Sequence, residues 1–304
     1  MDTSTARRLP RHDVDDDSYI QITPFETGRM VTPCATLVEN ARGASIATSW
    51  RFFLKHLKTN TYFWFDMGIS DDLTLYPRLI QNLHTNFKTI SSRASIVQDT
   101  VSLDVDPSSV KHVIISHAHW DHLHPLPPSF INANMIVGPG SCAHYAPGYP
   151  SKSDSKYDGY IWDESLRKFP LRELPPITEE HAWKPLGPFS HTYDFFEDGS
   201  FYLINAPGHM EENLAALARV KTKYSKMKWV LLGGDCAHSN IFTYWPNAPF
   251  GSMPVKFFPS GTLHECRETA RETILRIAEC KKNEDRDLFV WYAHGDFLEG
   301  LWEL

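Results

Sequence analysis

Residues 112–116 (HVIIS) form an apolar run that leads directly into HAHWDHLH, which places His117, His119, Asp121, His122 and His124 within residues 117–124, with Trp120 among them. Packing so many polar rings at the end of a buried strand leaves groups without partners unless a cation satisfies them. In an extended or tightly turned segment, residues two apart project to one side, so His117 and His119 reach a common point. Asp121 and His122 follow at once and reach a second point nearby. Neutral imidazole and carboxylate suit Zn²⁺, and Mn²⁺ or Fe²⁺ are also compatible.

A two-cation centre needs further ligands where other strands end, and three are available. LINAPGHMEEN carries His209 in a Pro-Gly turn, VLLGGDCAH carries Asp235, and FVWYAHGD carries His294. Each leaves an apolar run, as a ligand held on a rigid scaffold does. We expect His117, His119 and His209 at one cation, Asp121, His122 and His294 at the other, and Asp235 bridging both. His124 is expected outside the ligand set. His12, His56, His84 and His112 are read as ordinary core or surface histidines.

Short apolar runs bounded by turn residues predict buried strands at 34–38 (CATLV), 62–65, 112–116, 135–138, 201–205, 214–220, 229–234 and 289–295. A helix is predicted over TLHECRETARETILRIAECKK, where Leu263, Cys266, Ala270, Ile274, Ile277 and Ala278 share a face. A weaker one lies in LYPRLIQNL. Strands and helices alternate without a shift in composition, which predicts one α/β domain over 21–304 behind a flexible tail over 1–20. Two stretches rich in Gly, Pro and aromatics, 138–162 and 239–261, are expected to be functional loops. From them Phe242, Tyr244 and Trp245, together with Trp120, are candidates for substrate contact, and Tyr145, Tyr149, Tyr157, Tyr160 and Trp162 are further wall candidates.

Composition narrows the partner. Of 304 residues, 42% are hydrophobic and 22% charged, with a formal charge of −7 and no clustered basic stripe, which argues against nucleic acid. No stretch is apolar enough for a signal peptide or membrane span, so no membrane partner is expected. Five scattered cysteines without a C-x-x-C pair predict reduced thiols and a cytoplasmic location. A small-molecule substrate remains.

The order His-x-His-x-Asp-His, followed by His, Asp and His at successive strand ends, resembles the metallo-β-lactamase superfamily from about residue 30 to 304. FDMGIS at 65–70 is similar to that family's Asp-x-Gly turn. The resemblance implies an αββα sandwich: two packed mixed sheets, helices on the outer faces, and metals at one edge between the sheets. Bacterial β-lactamases with this first motif carry Cys where Asp235 stands, and Cys236 is one position late. Glyoxalase II enzymes carry a helical glutathione-binding region after the last His, whereas ten residues follow His294 here. The RNA-processing nucleases add basic arms or a large insertion. The N-acyl homoserine lactonase-like branch is the most similar, and DVDPSSVKHVIISHAHWDH resembles its approach to the first ligands. Those lactonases often place Tyr three residues beyond the bridging Asp. His238 stands there in this chain, either as a hydrogen-bond donor or acid toward the substrate or as a partner of Asp235.

The expected activity is that of a dinuclear zinc hydrolase opening a small apolar or aromatic lactone or lactam, with a metal-bridging hydroxide attacking the carbonyl and Asp121 handling the proton. A thioesterase acting on acyl or polyketide thioesters, a mononuclear iron persulfide dioxygenase and a non-catalytic metal-binding scaffold are the alternatives. The resemblance is also compatible with a homodimer.

Overall fold

Two six-stranded sheets face each other in the computed structural model, which describes residues 8–11, 17–255, 258–295 and 297–304. The first sheet runs in chain order through β1 (Ile20–Pro33), β2 (Ala44–His56), β3 (Thr61–Phe65), β4 (Val110–Ile114), β5 (Asn134–Val137) and β6 (Leu171–Glu173). β1 to β3 pair antiparallel, and β3 to β6 pair parallel. The second sheet comprises β7 (Lys184–Leu186), β8 (Phe189–Asp194), β9 (Phe201–Asn205), β10 (Leu214–Lys221) and β11 (Met227–Leu232), each antiparallel to the next. β12 (Leu288–Trp291) closes it parallel to β11. Among the described residues, helices are α1 (Cys34–Leu37), α2 (Arg78–Phe87), α3 (Ile96–Ser102), α4 (Ser141–Tyr145), α5 (Gly159–Trp162), α6 (Ile241–Tyr244) and α7 (Arg267–Glu284).

The period-two alternation of strand side chains sorts the core into layers. Phe63 and Phe65 of β3 and Ile114 of β4 point between the sheets, where they meet Phe201, Leu203, Ala216, Leu232 and Trp291. Their neighbours Trp64 and Val113 point the other way, onto Ile96 of α3, Tyr145 of α4 and Ile161 and Trp162 of α5. On the far side, Leu217, Leu231 and Val290 pack on Ala270, Ile274 and Ile277 of α7. The result is the helix–sheet–sheet–helix sandwich expected from the sequence. Burying one such large side chain contributes about 1.5–3 kcal/mol.

Several elements differ from the sequence reading. CATLV is not a strand: Cys34–Leu37 is a single helical turn between the long strands β1 and β2. α7 begins at Arg267, so Leu263 and Cys266 precede the helix, and Cys266 is exposed. The 138–162 stretch is anchored in the core rather than draped over it, because Tyr145 and Trp162 are buried with the outer face of the first sheet. Of the expected tail, residues 1–7 and 12–16, with His12, lie outside the described residues. Leu9 is buried against the α7 layer and its N–H donates to Glu284 Oε1 at 2.8 Å, and Ile20 opens β1. All five cysteines are free thiols. No helix of the described residues is long and apolar enough to cross a membrane.

Candidate metal centre

The strand ends of both sheets meet at one edge, and the ligand loops start there. After β4, the Ser116 N–H donates to Asp66 Oδ1 (2.7 Å) and its hydroxyl to Asp66 Oδ2 (2.8 Å). Asp66 has a left-handed backbone (φ 58°), and its own N–H donates to the Ile114 carbonyl. The Asp-x-Gly turn thereby pins the start of the histidine loop. The turn is closed by the His122 N–H donating to the His119 carbonyl (3.0 Å). In the second sheet, Gly234 follows β11 with φ 49°, and a Cβ there would stand 3.0 Å from the Ser116 side chain. Glycine lets the Asp235 turn approach the histidine loop of the other sheet this closely.

Seven side chains converge. His209 Nε2 lies 3.1 Å from His117 Nε2 and 2.9 Å from His119 Nδ1. Asp235 Oδ2 stands 3.6 Å from His117 Nε2 and 3.4 Å from His209 Nε2. The other oxygen, Asp235 Oδ1, is 3.3 Å from both His122 Nε2 and His294 Nε2. Asp121 Oδ2 closes this second group at 3.2 Å from His294 Nε2 and 3.8 Å from His122 Nε2.

Three features fit these groups to two cations. The spacings are close to the edges of a tetrahedron with vertices about 2.0–2.1 Å from its centre, the length of a Zn–N or Zn–O bond. The inward nitrogens of His117, His119 and His209 face one another as lone-pair acceptors with nothing to donate. Their outward nitrogens are held by acceptors: His122 Nδ1 by Asp66 Oδ2 (2.8 Å), His294 Nδ1 by the Thr48 carbonyl (2.8 Å) and His117 Nδ1 by Ser116 Oγ (2.9 Å). These contacts place the proton outside and the lone pair inside. His122 Nε2 and Asp235 Oδ1 are buried and have no hydrogen-bond partner among the described residues.

Electrostatics divides the two groups. Burial, then the neighbouring imidazoles, hold His117 and His209 well below the ordinary histidine range, and packing around His119 pushes it down to about 3. Burial also opposes charge on His122 and His294, but the carboxylates outweigh it. Asp235, Asp66 and Asp121 raise His122 well above its ordinary value, and Asp235 and Asp121 raise His294 to about 10. Burial disfavours the Asp235 carboxylate, yet His294, His122 and His238 hold it well below the usual range.

The remaining candidates are distributed as follows. His238 Nε2 stands 3.3 Å from Asp235 Oδ2, its ring parallel to that of His294 at 5.9 Å. Trp120 is half-buried beside the centre and meets Tyr76 (5.3 Å) and His84 (4.8 Å) edge-on. Phe242, expected as a pocket wall, is 1% exposed and packs on Phe250, so it supports the site from behind. Tyr244 and Trp245 are 59% and 66% exposed and line a shallow surface depression with Ile241 and Pro246. His124 is buried away from both groups, with Nδ1 donating to the Pro125 carbonyl (3.1 Å). His56 pairs with Asp198 at 3.0 Å. Sequence reasoning missed two contributors. Asp66 was visible as a turn residue, but its grip on His122 is a tertiary contact. His264, buried 5.0 Å from His238 and 5.5 Å from His209 ring to ring, was read as part of a helix.

No family model matches the chain. It is 35% identical over 203 residues to Gamma-lactamase MBL2 of Gibberella moniliformis, covering 64% of this chain and 78% of that protein. Gamma-lactamase FDB1 of Fusarium pseudograminearum is 31% identical over 264 residues, 83% of this chain and 59% of that protein. Cytochrome P450 monooxygenase mpaDE of Penicillium roqueforti is 30% identical over 253 residues, 78% of this chain, which spans only 28% of that relative's length. Among solved structures, a quorum-quenching N-acyl homoserine lactone lactonase superposes with TM-score 0.62 at 16% identity, over 92% of this chain and 93% of the other. An N-acyl homoserine lactone hydrolase with N-hexanoyl-L-homoserine at its catalytic metal centre does so with TM-score 0.60 at 15% identity, over 92% and 94%.

Proposed function

Since the chain belongs to the metallo-β-lactamase superfamily, we propose that it is a metal-dependent hydrolase that binds two zinc ions and opens the ring of a small lactone or lactam with an apolar or aromatic body. The observation that carries this reading is the divided Asp235 carboxylate, one oxygen in each ligand group. The names of the sequence relatives point to lactams, and those of the fold neighbours to lactones.

In this reading His117, His119 and His209 would hold one cation, Asp121, His122 and His294 would hold the other, and Asp235 would serve both. When bound, the cations supply Lewis acidity, polarising a carbonyl and lowering the pKa of water. The protein's own groups do the rest. Asp66, Ser116 and the Thr48 carbonyl fix the tautomers of three ligands. Asp121 takes the proton of the attacking water and delivers it to the departing ring atom as the new C–O bond forms and the ring C–N or C–O bond breaks. His238, beside Asp235 Oδ2, donates a hydrogen bond to the substrate carbonyl. The half-buried face of Trp120 borders the substrate's apolar body.

Asp235→Ala and His119→Ala should each abolish ring opening in a panel of lactones, lactams and thioesters, with circular dichroism unchanged. Retained turnover in both variants overturns the site, and turnover of thioesters alone overturns the substrate class. Elemental analysis should give two zinc per chain.

A further inference from the structure

The metal centre meets solvent at His119. The other six converging side chains are buried, whereas His119 is half-buried, as is the adjoining Trp120. Two loops border this opening, and both are fastened to the turn that carries His209. In the 138–162 loop, the Tyr145 hydroxyl donates to Glu212 Oε2 at 2.7 Å and lies 3.8 Å from Met210 Sδ. Tyr157 packs on Tyr145 at 4.6 Å, and Lys156 Nζ stands 5.1 Å from the centre of the Tyr157 ring. In the other loop, the Glu265 N–H donates to the His209 carbonyl and the Cys266 N–H to the Gly208 carbonyl, both at 3.0 Å. Lys156 and Glu265 are exposed, and neither side chain makes a hydrogen bond or ion pair among the described residues. Their charges are felt at the opening. After burial, the Lys156 ammonium does most to push His119 down to about 3. Crowding lowers Lys156 itself, and the Glu265 carboxylate opposes that.

We propose that Lys156 determines specificity: it receives a carboxylate that the substrate carries outside its ring, so that the centre prefers acidic lactones and lactams to neutral ones of the same shape. The chain's formal charge of −7 disfavours an anion in general, and an ammonium at the entrance reverses the field locally. Its three N–H donors are free to make a charge-assisted hydrogen bond to a carboxylate. Trp120, on the same half-buried edge, leaves the apolar body a place beside the metals. Glu265 competes for the same ammonium and so limits the preference. Water screens an exposed pair, and a charge on a rim acts mainly on encounter and on salt dependence.

The inference rests on the ring-opening reading and adds a charged substituent to its substrate. The test compares kcat/KM for a γ-lactone and a γ-lactam, each bearing a side-chain carboxylate, with their carboxamides of the same shape, at low and high salt and with metal content measured in parallel. The unaltered chain should prefer the carboxylates about three- to tenfold, through KM rather than kcat, and high salt should erase the preference. Lys156→Gln should remove it while carboxamide turnover stays within about twofold and metal content is unchanged. Lys156→Arg, which keeps the charge, should retain most of it. Glu265→Gln, which removes the competing carboxylate, should widen it about twofold. Equal losses on carboxylate and carboxamide in Lys156→Gln, an unaltered ratio there, loss of the preference in Lys156→Arg, or a preference that Glu265→Gln narrows or leaves as it was would overturn the role of Lys156. Carboxamides opened as readily as carboxylates by the unaltered chain overturn it as well, with ring opening itself intact. Turnover of none of the four compounds by the unaltered chain overturns the ring-opening reading, and the role of Lys156 with it.

Discussion

Asp66 controls more of the centre than its distance from the cation positions suggests. Its carboxylate accepts from the Ser116 N–H and hydroxyl and from His122 Nδ1, so a single residue aligns the histidine loop and sets one ligand's tautomer. Asn tolerates the same left-handed backbone but presents an NH₂ group. In Asp66→Asn that group would face His122 Nδ1 and drive the ring proton onto Nε2, where a cation must bind. We expect affinity at the Asp121–His122–His294 group to fall about 10–100-fold, read by competition with a chromophoric chelator. The two groups should also separate with pH. His117, His119 and His209 are depressed and stay neutral near pH 7, so a cation displaces no proton there. His122 and His294 are raised, His294 to about 10, so in the metal-free chain they are charged at pH 7 and must lose protons to bind. Acidification should therefore release the second cation before the first, with proton uptake at that step. Simultaneous release, followed by metal content against pH, would contradict this.

At the scale of elements, the turns that deliver ligands are constrained by backbone. Gly208 has φ 124°, and a Cβ there would collide with the backbone of Ala270 at the start of α7. Gly208→Ala should displace His209 and lower both Tm and occupancy of the first group. Gly234→Ala, strained by its φ and crowded by Ser116, should cost about 1–2 kcal/mol from the left-handed backbone alone. Thermal melts and metal analysis of both variants check this. The same scale shows what could be read from the sequence. All seven converging side chains were legible because each follows an apolar run short enough to be a strand. β1 and β2 were not: β1 carries Pro24 and Gly28, a register shift between Glu26 and Arg29, and an irregular burial pattern. The polar edge strand β7 and its neighbour β8 gave no alternation to detect. His264 was hidden for another reason. Its neighbours Leu263 and Cys266 continue a helical spacing that the structure begins only at Arg267, so periodicity pointed to packing where the fold placed a polar contact.

In the whole molecule, the first sheet supplies His117, His119, Asp121 and His122, and the loops after β9, β11 and β12 of the second supply His209, Asp235 and His294. Cations held there bind the folded sandwich and not the open chain, so chelation should destabilise it. A ligand present at a thousand times its dissociation constant contributes about 4 kcal/mol. A clear drop in Tm with EDTA, restored by zinc, is expected, whereas a melt indifferent to chelation would argue against cations spanning the sheets. The apolar layer between the sheets contributes independently. Phe63→Ala, in that layer, should cost about 3–5 kcal/mol whether or not metal is present.

Asp235 gives one oxygen to each side, and a carboxylate is a rigid plane, so turning it to suit one guest also presents it to the next. Filling the first half should make the second half fill more readily. At fixed neutral pH zinc uptake would then be sigmoidal, half-loaded molecules gathering only where acid withdraws the second cation, and replacing that single carboxylate with a group that reaches only one way should turn the cooperative curve into two independent steps.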